Sequence, residues 1–145
     1  NEMDEDDLNT LEFSLSADEA RTLASPEVRS KILKSEIYHT TKKVLHHIRR
    51  VIDDECKGSK YWVNYSNTLK LHDFHGLSSL PTQEEFTNSA RCILDSVQAS
   101  LQRAKYEVTN ASTNAVTSGM HNTIISYQIY MLISWVPRDH TNPSS

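Results

Sequence analysis

Seven histidines are the residues of this chain best suited to hold a metal. His72 and His75 form a His-x-x-His pair around Asp73, a spacing that lets one loop present two imidazoles and a carboxylate to zinc. The pair lacks the His-Glu-x-x-His arrangement and the cysteine partners that mark zinc sites. A small metal-dependent enzyme using His72 and His75 is therefore the least favoured reading, and no metal ligand is assigned. His39 and His46 share one side of a helix but lie two turns apart, roughly 10 Å, too far for direct co-ligation of one ion without a third element between them.

Other catalytic chemistry has no carrier. There is no Gly-x-Ser-x-Gly elbow, and neither Cys56 nor Cys92 sits in a protease or redox motif. With glycine only at positions 58, 76 and 119, neither a phosphate-binding loop nor a dinucleotide fingerprint can be written. The acidic groups Asp53-Asp54-Glu55 and Glu84-Glu85 have the residue types of acid–base pairs. Their places at helix ends have a simpler explanation, solvation in the first case and dipole complementarity in the second. No catalytic residue and no cofactor is expected.

Two surface patterns remain. Lys42-Lys43 and Arg49-Arg50, one heptad apart on a helix, share a side and have the chemistry to contact phosphates, which supports a nucleic-acid-associated domain as the alternative reading. Aromatic residues cluster in strand-like runs, with Tyr61, Trp62 and Tyr65 in one and Tyr127, Tyr130 and Trp135 in another. Alternation sends neighbouring rings to opposite faces of a sheet, so some must lie off the helix-covered side. Trp62, Tyr127, Tyr130 and Leu132 are the candidate interaction residues, because exposed Tyr and Trp are typical of protein interfaces.

The elements that must position these groups follow from periodicity and punctuation. Ser25-Pro26 offers an N-cap and a helix-initiating proline. Apolar residues from Val28 to Cys56 then recur at three- and four-residue steps until Gly58, a helix of about 45 Å. Thr82 and Glu85 form a capping box for a second helix carrying Phe86, Ala90, Ile93, Leu94, Val97 and Leu101. Residues 60–65 and 106–109 read as strands, 66–81 as an Ω-like connection and 110–123 as a polar loop. The run 124–136 alternates most clearly of all, and its two large-residue faces suggest an edge strand that meets another chain. A brief helix near 17–23 and a short N-terminal strand at Leu11–Leu15 complete the reading.

The expected fold is thus α+β, with two long amphipathic helices packed on one face of a small three- or four-stranded, mainly antiparallel sheet. Residues 1–10 are read as an acidic flexible tail, 11–137 as one domain and 138–145 as a polar C-terminal tail. The two cysteines are read as buried free thiols, which favours a reducing intracellular compartment. The first residue, Asn1, suggests processing or trimming, so upstream targeting is not visible. No apolar run of spanning length occurs. The sequons at Asn64 and Asn110 do not shift this reading.

Charge is unevenly distributed. Residues 1–20 hold eight acids and no Lys or Arg, whereas residues 29–60 hold nine bases against four acids. The two segments have the charge to attract each other. The glycine-poor helices, few strands and absence of catalytic signatures resemble the layout of small accessory or structural proteins of viruses and phages, a likeness of layout that carries over no functional residue. The function expected is a non-enzymatic protein-interaction or structural/assembly domain that meets a protein partner or self-associates, as a component of a larger particle such as a viral or phage assembly.

Overall fold

The computed structural model describes residues 8–77 and 79–137. Among them the chain forms three α-helices and a three-stranded antiparallel sheet. In chain order these are α1 (Ala17–Leu23), α2 (Pro26–Lys57), β1 (Trp62–Lys70), a 3₁₀ turn (Leu71–Asp73), α3 (Gln83–Arg103), β2 (Glu107–Thr117) and β3 (Ile124–Ser134). The strand order is β1-β3-β2, so β3 is central and antiparallel to both neighbours. This corrects the expectation that the last strand lies at an edge. A strand with large residues on alternating positions of both faces reads alike in either place, and only pairing decides which it occupies.

Helix boundaries follow local chemistry. Ser16, Ser25 and Thr82 each accept a backbone N–H at the start of α1, α2 and α3, and Glu85 completes a capping box at α3. The long helix stops where expected, but the left-handed residue is Ser59 (φ 61°), not Gly58 (φ −87°). Lys60 N–H then bonds to Glu55 O, and Tyr106 N–H bonds to Leu101 O past left-handed Lys105 in the same way. Both helices therefore end in Schellman-type stops.

Two segments are more ordered than their sequence suggests, and one is less so. Residues 66–70, expected in the connection, extend β1 by pairing with residues 130–126 of β3. β2 continues past Thr109 through a bulge at Asn110 and Ala111 to Thr117, so half of the expected polar loop is strand. Asn110 takes the left-handed conformation there (φ 55°), which Asn tolerates better than most residues. Leu11–Leu15 forms no strand and is exposed, which leaves three strands and not four. Of the expected tails at 1–10 and 138–145, residues 1–7 and 138–145 lie outside the described residues, and residues 8–10 are exposed.

The core lies between the helices and one face of the sheet. Alternate residues of β3, Tyr127, Ile129, Met131 and Ile133, are buried beside Tyr65, Leu69 and Val108 of the neighbouring strands. Val44, Ile48 and Ile52 of α2 and Phe86, Ala90, Ile93, Leu94, Val97 and Leu101 of α3 close over them. Phe86 makes edge contacts with both Phe74 and Tyr127. Cys56 and Cys92 are free and exposed, contrary to expectation, because each lies on the solvent side of its helix.

One ion pair joins the start of α2 to the start of α3. The Arg29 guanidinium grips both carboxylate oxygens of Glu85 at 2.8 and 3.0 Å and also donates to Leu80 O and Ser79 Oγ. The Arg29 hydrogen bonds, with the backbone hydrogen bond from Thr82, lower the Glu85 carboxyl from 4.5 to about 2. A depressed carboxyl stabilises the fold fully above its unfolded value and loses that contribution as pH falls through its folded one. Urea unfolding at a series of pH values should show stability declining between pH 4.5 and about 2. Glu85→Gln keeps a capping side chain but no charge, so it should flatten that part of the acid limb. A second expectation concerns the two faces of β3. Ile133→Ala should cost about 3 kcal/mol and Leu132→Ala less than about 1.5 kcal/mol in the same measurement.

Candidate interaction surface

From Ser126 onwards, residues of β3 with even numbers point away from the helices. Ser126, Gln128, Tyr130, Leu132 and Ser134 are half-buried, and none of the residues paired beside them on this face is buried. No element among the described residues covers this side of the sheet. Tyr130 is flanked by Ser66 and Ser112, Leu132 by Asn64 and Thr109, and Ser134 by Trp62 and Glu107. The face is thus a hydroxyl- and amide-bearing plane with Tyr130 and Leu132 in its middle row and Trp62, 51% exposed, at one corner. Tyr130 donates its hydroxyl hydrogen to Gln128 two residues away, which holds the ring along the strand.

This composition alters the expected interface. The large side chains of this face do not merge into one apolar patch, because cross-strand pairing surrounds each with Ser, Thr and Asn. Tyr127, the fourth candidate, faces the helices and is buried, with its hydroxyl 2.6 Å from Thr87 Oγ1. It belongs to the core, not to a surface. Trp62, Tyr130 and Leu132 remain together on the open face.

The basic residues are placed as their spacing requires. Lys42, Lys43, Arg49 and Arg50 are all exposed on α2, opposite its buried stripe, with Lys31 and Lys57 exposed towards its two ends. None of these six cations forms an ion pair among the described residues. Lys42 Nζ instead lies 5.4 Å from the centre of the exposed Tyr38 ring.

His72 and His75 are not brought together. His75 and Asp73 line a concavity beside α2 with His39 and Glu36, while His72 faces a different one beside Leu71, Leu80 and Ile125. Asp73 accepts the backbone N–H of Lys70 and so caps the 3₁₀ turn. Among the described residues no group of three or more His, Cys, Asp or Glu side chains is placed to hold a metal ion.

A further polar cluster, absent from the sequence reading, lies under α2. His47 Nδ1 is 2.6 Å from Tyr65 Oη, which also accepts from the Asn67 amide at 2.9 Å. The Asn67 carbonyl oxygen receives Thr68 N–H, which fixes the amide so that its NH₂ end meets Tyr65. The Tyr65 hydrogen is then available to an unprotonated Nδ1. Burial pushes the Tyr65 phenol above its ordinary value, partly offset by the Asn67 hydrogen bond. His47 and Tyr65 are eighteen residues apart, so helical and strand periods mark each as inward without pairing them.

No helix among the described residues is long and apolar enough to cross a membrane. Compared with protein-family models, curated proteins and solved structures, the chain matches none. Functional meaning therefore rests on the surfaces themselves. For the polar cluster, Tyr65→Phe should lower stability by about 1 kcal/mol in chemical unfolding, by taking a hydrogen-bond partner from His47 and Asn67.

Proposed function

We propose that this chain is a non-enzymatic protein-interaction or assembly domain whose partner docks on the open face of the sheet. The observation that supports this reading is the uncovered row of Tyr130 and Leu132 with Trp62 at its corner, on a sheet whose other face carries the core. Exposed aromatic rings among hydroxyl and amide groups suit a wet, non-obligate contact better than a permanent one. Size points the same way. Three strands about 4.8 Å apart, one of nine residues and two of eleven, present about 500 Å², below the roughly 800 Å² per partner of a standard stable interface. Such a face is suited to an assembly in which several modest contacts act together.

Phosphate binding along α2 is the second reading, favoured by the seven exposed cations from Lys31 to Lys57, Lys34 included, that form no ion pair among the described residues. The exposed Tyr38 beside Lys42 adds a ring on which a base can stack. Between residues 26 and 137 the chain holds thirteen Lys and Arg against ten Asp and Glu, so its acidic net charge arises outside this stretch.

Sedimentation velocity tests the open-face reading. The wild-type chain should associate as concentration rises, and Tyr130→Glu should weaken that association while leaving the thermal midpoint nearly unchanged. A clean monomer at high concentration, unaltered by Tyr130→Glu, would count against the open face. For the phosphate reading, anisotropy with a labelled oligonucleotide should show binding that falls steeply with salt. Replacing Lys42, Lys43, Arg49 and Arg50 together by Gln should abolish it.

A further inference from the structure

The open face of the sheet carries a knob at one end and a hole at the other. The knob is Trp62, exposed at the corner where it pairs with Ser134. Eight residues and about 27 Å away along β1, at the opposite end, lies a cavity of about 380 Å³. Thr68, Lys70 and Ser126 line it from the open face, since Thr68 pairs with Gln128 and Lys70 with Ser126. Leu71, Leu80 and Ile125 supply its apolar walls, and Leu80 and Ile125 are 50% and 46% exposed. No acid lines the cavity, and Lys70 forms no ion pair among the described residues.

Hydrogen bonds fix the backbone around this hole. Leu80 O accepts from Arg29 at 3.2 Å, Asp73 holds Lys70 N–H at 2.9 Å, and the Gln83 amide bonds to both backbone groups of Ile124. A pre-formed hole costs little ordering when it is filled. We infer that two copies of this chain stack open face to open face, end over end, so that Trp62 of each enters the cavity of the other. The inference rests on the open-face reading and names its partner.

The register of the sheet selects a second copy. Ser66 stands midway between Trp62 and Lys70 and shares a row with Tyr130 and Ser112. A two-fold axis along that row carries Trp62 of one copy over Lys70 and the cavity of the other. Tyr130 then meets Tyr130, Leu132 meets Gln128, and the Trp62 ring meets apolar walls with an ammonium beside it, a cation–π contact. Lys70 and Glu107 are the charged residues in the paired rows of this face, and neither meets its own kind. The other two-fold, along the strands, sets Trp62 against Glu107 and leaves the cavity empty. Area supports the same arrangement. The plane alone presents about 500 Å², but an aromatic ring buries about 150–250 Å². Each copy gives one ring and receives one, which raises the contact towards the roughly 800 Å² per partner of a stable dimer.

Sedimentation and cross-linking of the full chain test this arrangement. The wild type should dimerise. Trp62→Ala removes two inserted rings and should weaken the dimer about a hundredfold, about tenfold per ring, and Leu80→Glu at its exposed wall position should weaken it similarly. Both variants should keep the thermal midpoint of the monomer. Their equimolar mixture should form a heterodimer tighter than either homodimer, because one variant supplies a cavity and the other a ring. With the exposed thiols removed by Cys56→Ser and Cys92→Ser, a short bismaleimide should link Ser66→Cys to its own copy, and should give no product between Ser66→Cys and Ser112→Cys chains. Association that Tyr130→Glu weakens, but that Trp62→Ala and Leu80→Glu leave unchanged, overturns this inference and leaves the open-face reading standing. Cross-linking confined to the Ser66→Cys with Ser112→Cys pair also overturns it, in favour of the other two-fold. A clean monomer at high concentration overturns both readings.

Discussion

Burial of one face of β3 is the constraint on which the rest of the structure depends. Ile129 and Ile133 are fully buried, and Tyr127 and Met131 nearly so, because the strand is hydrogen-bonded on both sides and covered by two helices on one face. A side-chain period of two means that a one-residue slip would send all four to solvent. The register of the whole sheet is therefore set by hydrophobic burial as well as by backbone hydrogen bonding. Both edge strands take their alignment from this central one, and so do the helices that must meet its inner row.

The helices are held to that row by more than apolar contact. Arg29 and Glu85 join their starts, and Glu85 serves at once as ion-pair partner and as capping residue of α3. At the other ends, the Schellman-type stops turn the chain directly into β1 and towards β2. Polar groups admitted to the interior are all satisfied: Thr41 and Ser89 return hydrogen bonds to their own helices, and no buried side-chain nitrogen or oxygen among the described residues lacks a partner. Such closure is what a uniquely packed core requires, since an unpaired buried polar group costs more than a typical hydrogen bond contributes.

The surface is organised quite differently from the interior. One side of the sheet carries hydroxyls and amides around two large side chains, the outer side of α2 carries cations, and the segment before α1 carries exposed leucines and Phe13. These features contribute little to the stability of a single copy. Their separation onto distinct surfaces supports more than one contact per copy, which is how weak interfaces become a stable assembly.

Much of this architecture was legible in the residues. Caps at Ser25 and Thr82, the stop near Gly58, and the apolar stripes of α2 and α3 are local chemistry, so sequence periodicity located both long helices. The alternation in 124–134 likewise identified a strand, and heptad spacing placed Lys42, Lys43, Arg49 and Arg50 on one side of α2. Tertiary structure alone decided that this strand is central, that polar-looking residues 110–117 are recruited as its partner, and that of Tyr127 and Tyr130, which alternation places on opposite faces, it is Tyr127 that enters the core. It alone joined Arg29 to Glu85 across fifty-six residues and His47 to Tyr65 across eighteen. The physical reason is one of range: caps and periods act over a few residues, whereas strand pairing, ion pairs and burial depend on segments that only folding brings into contact.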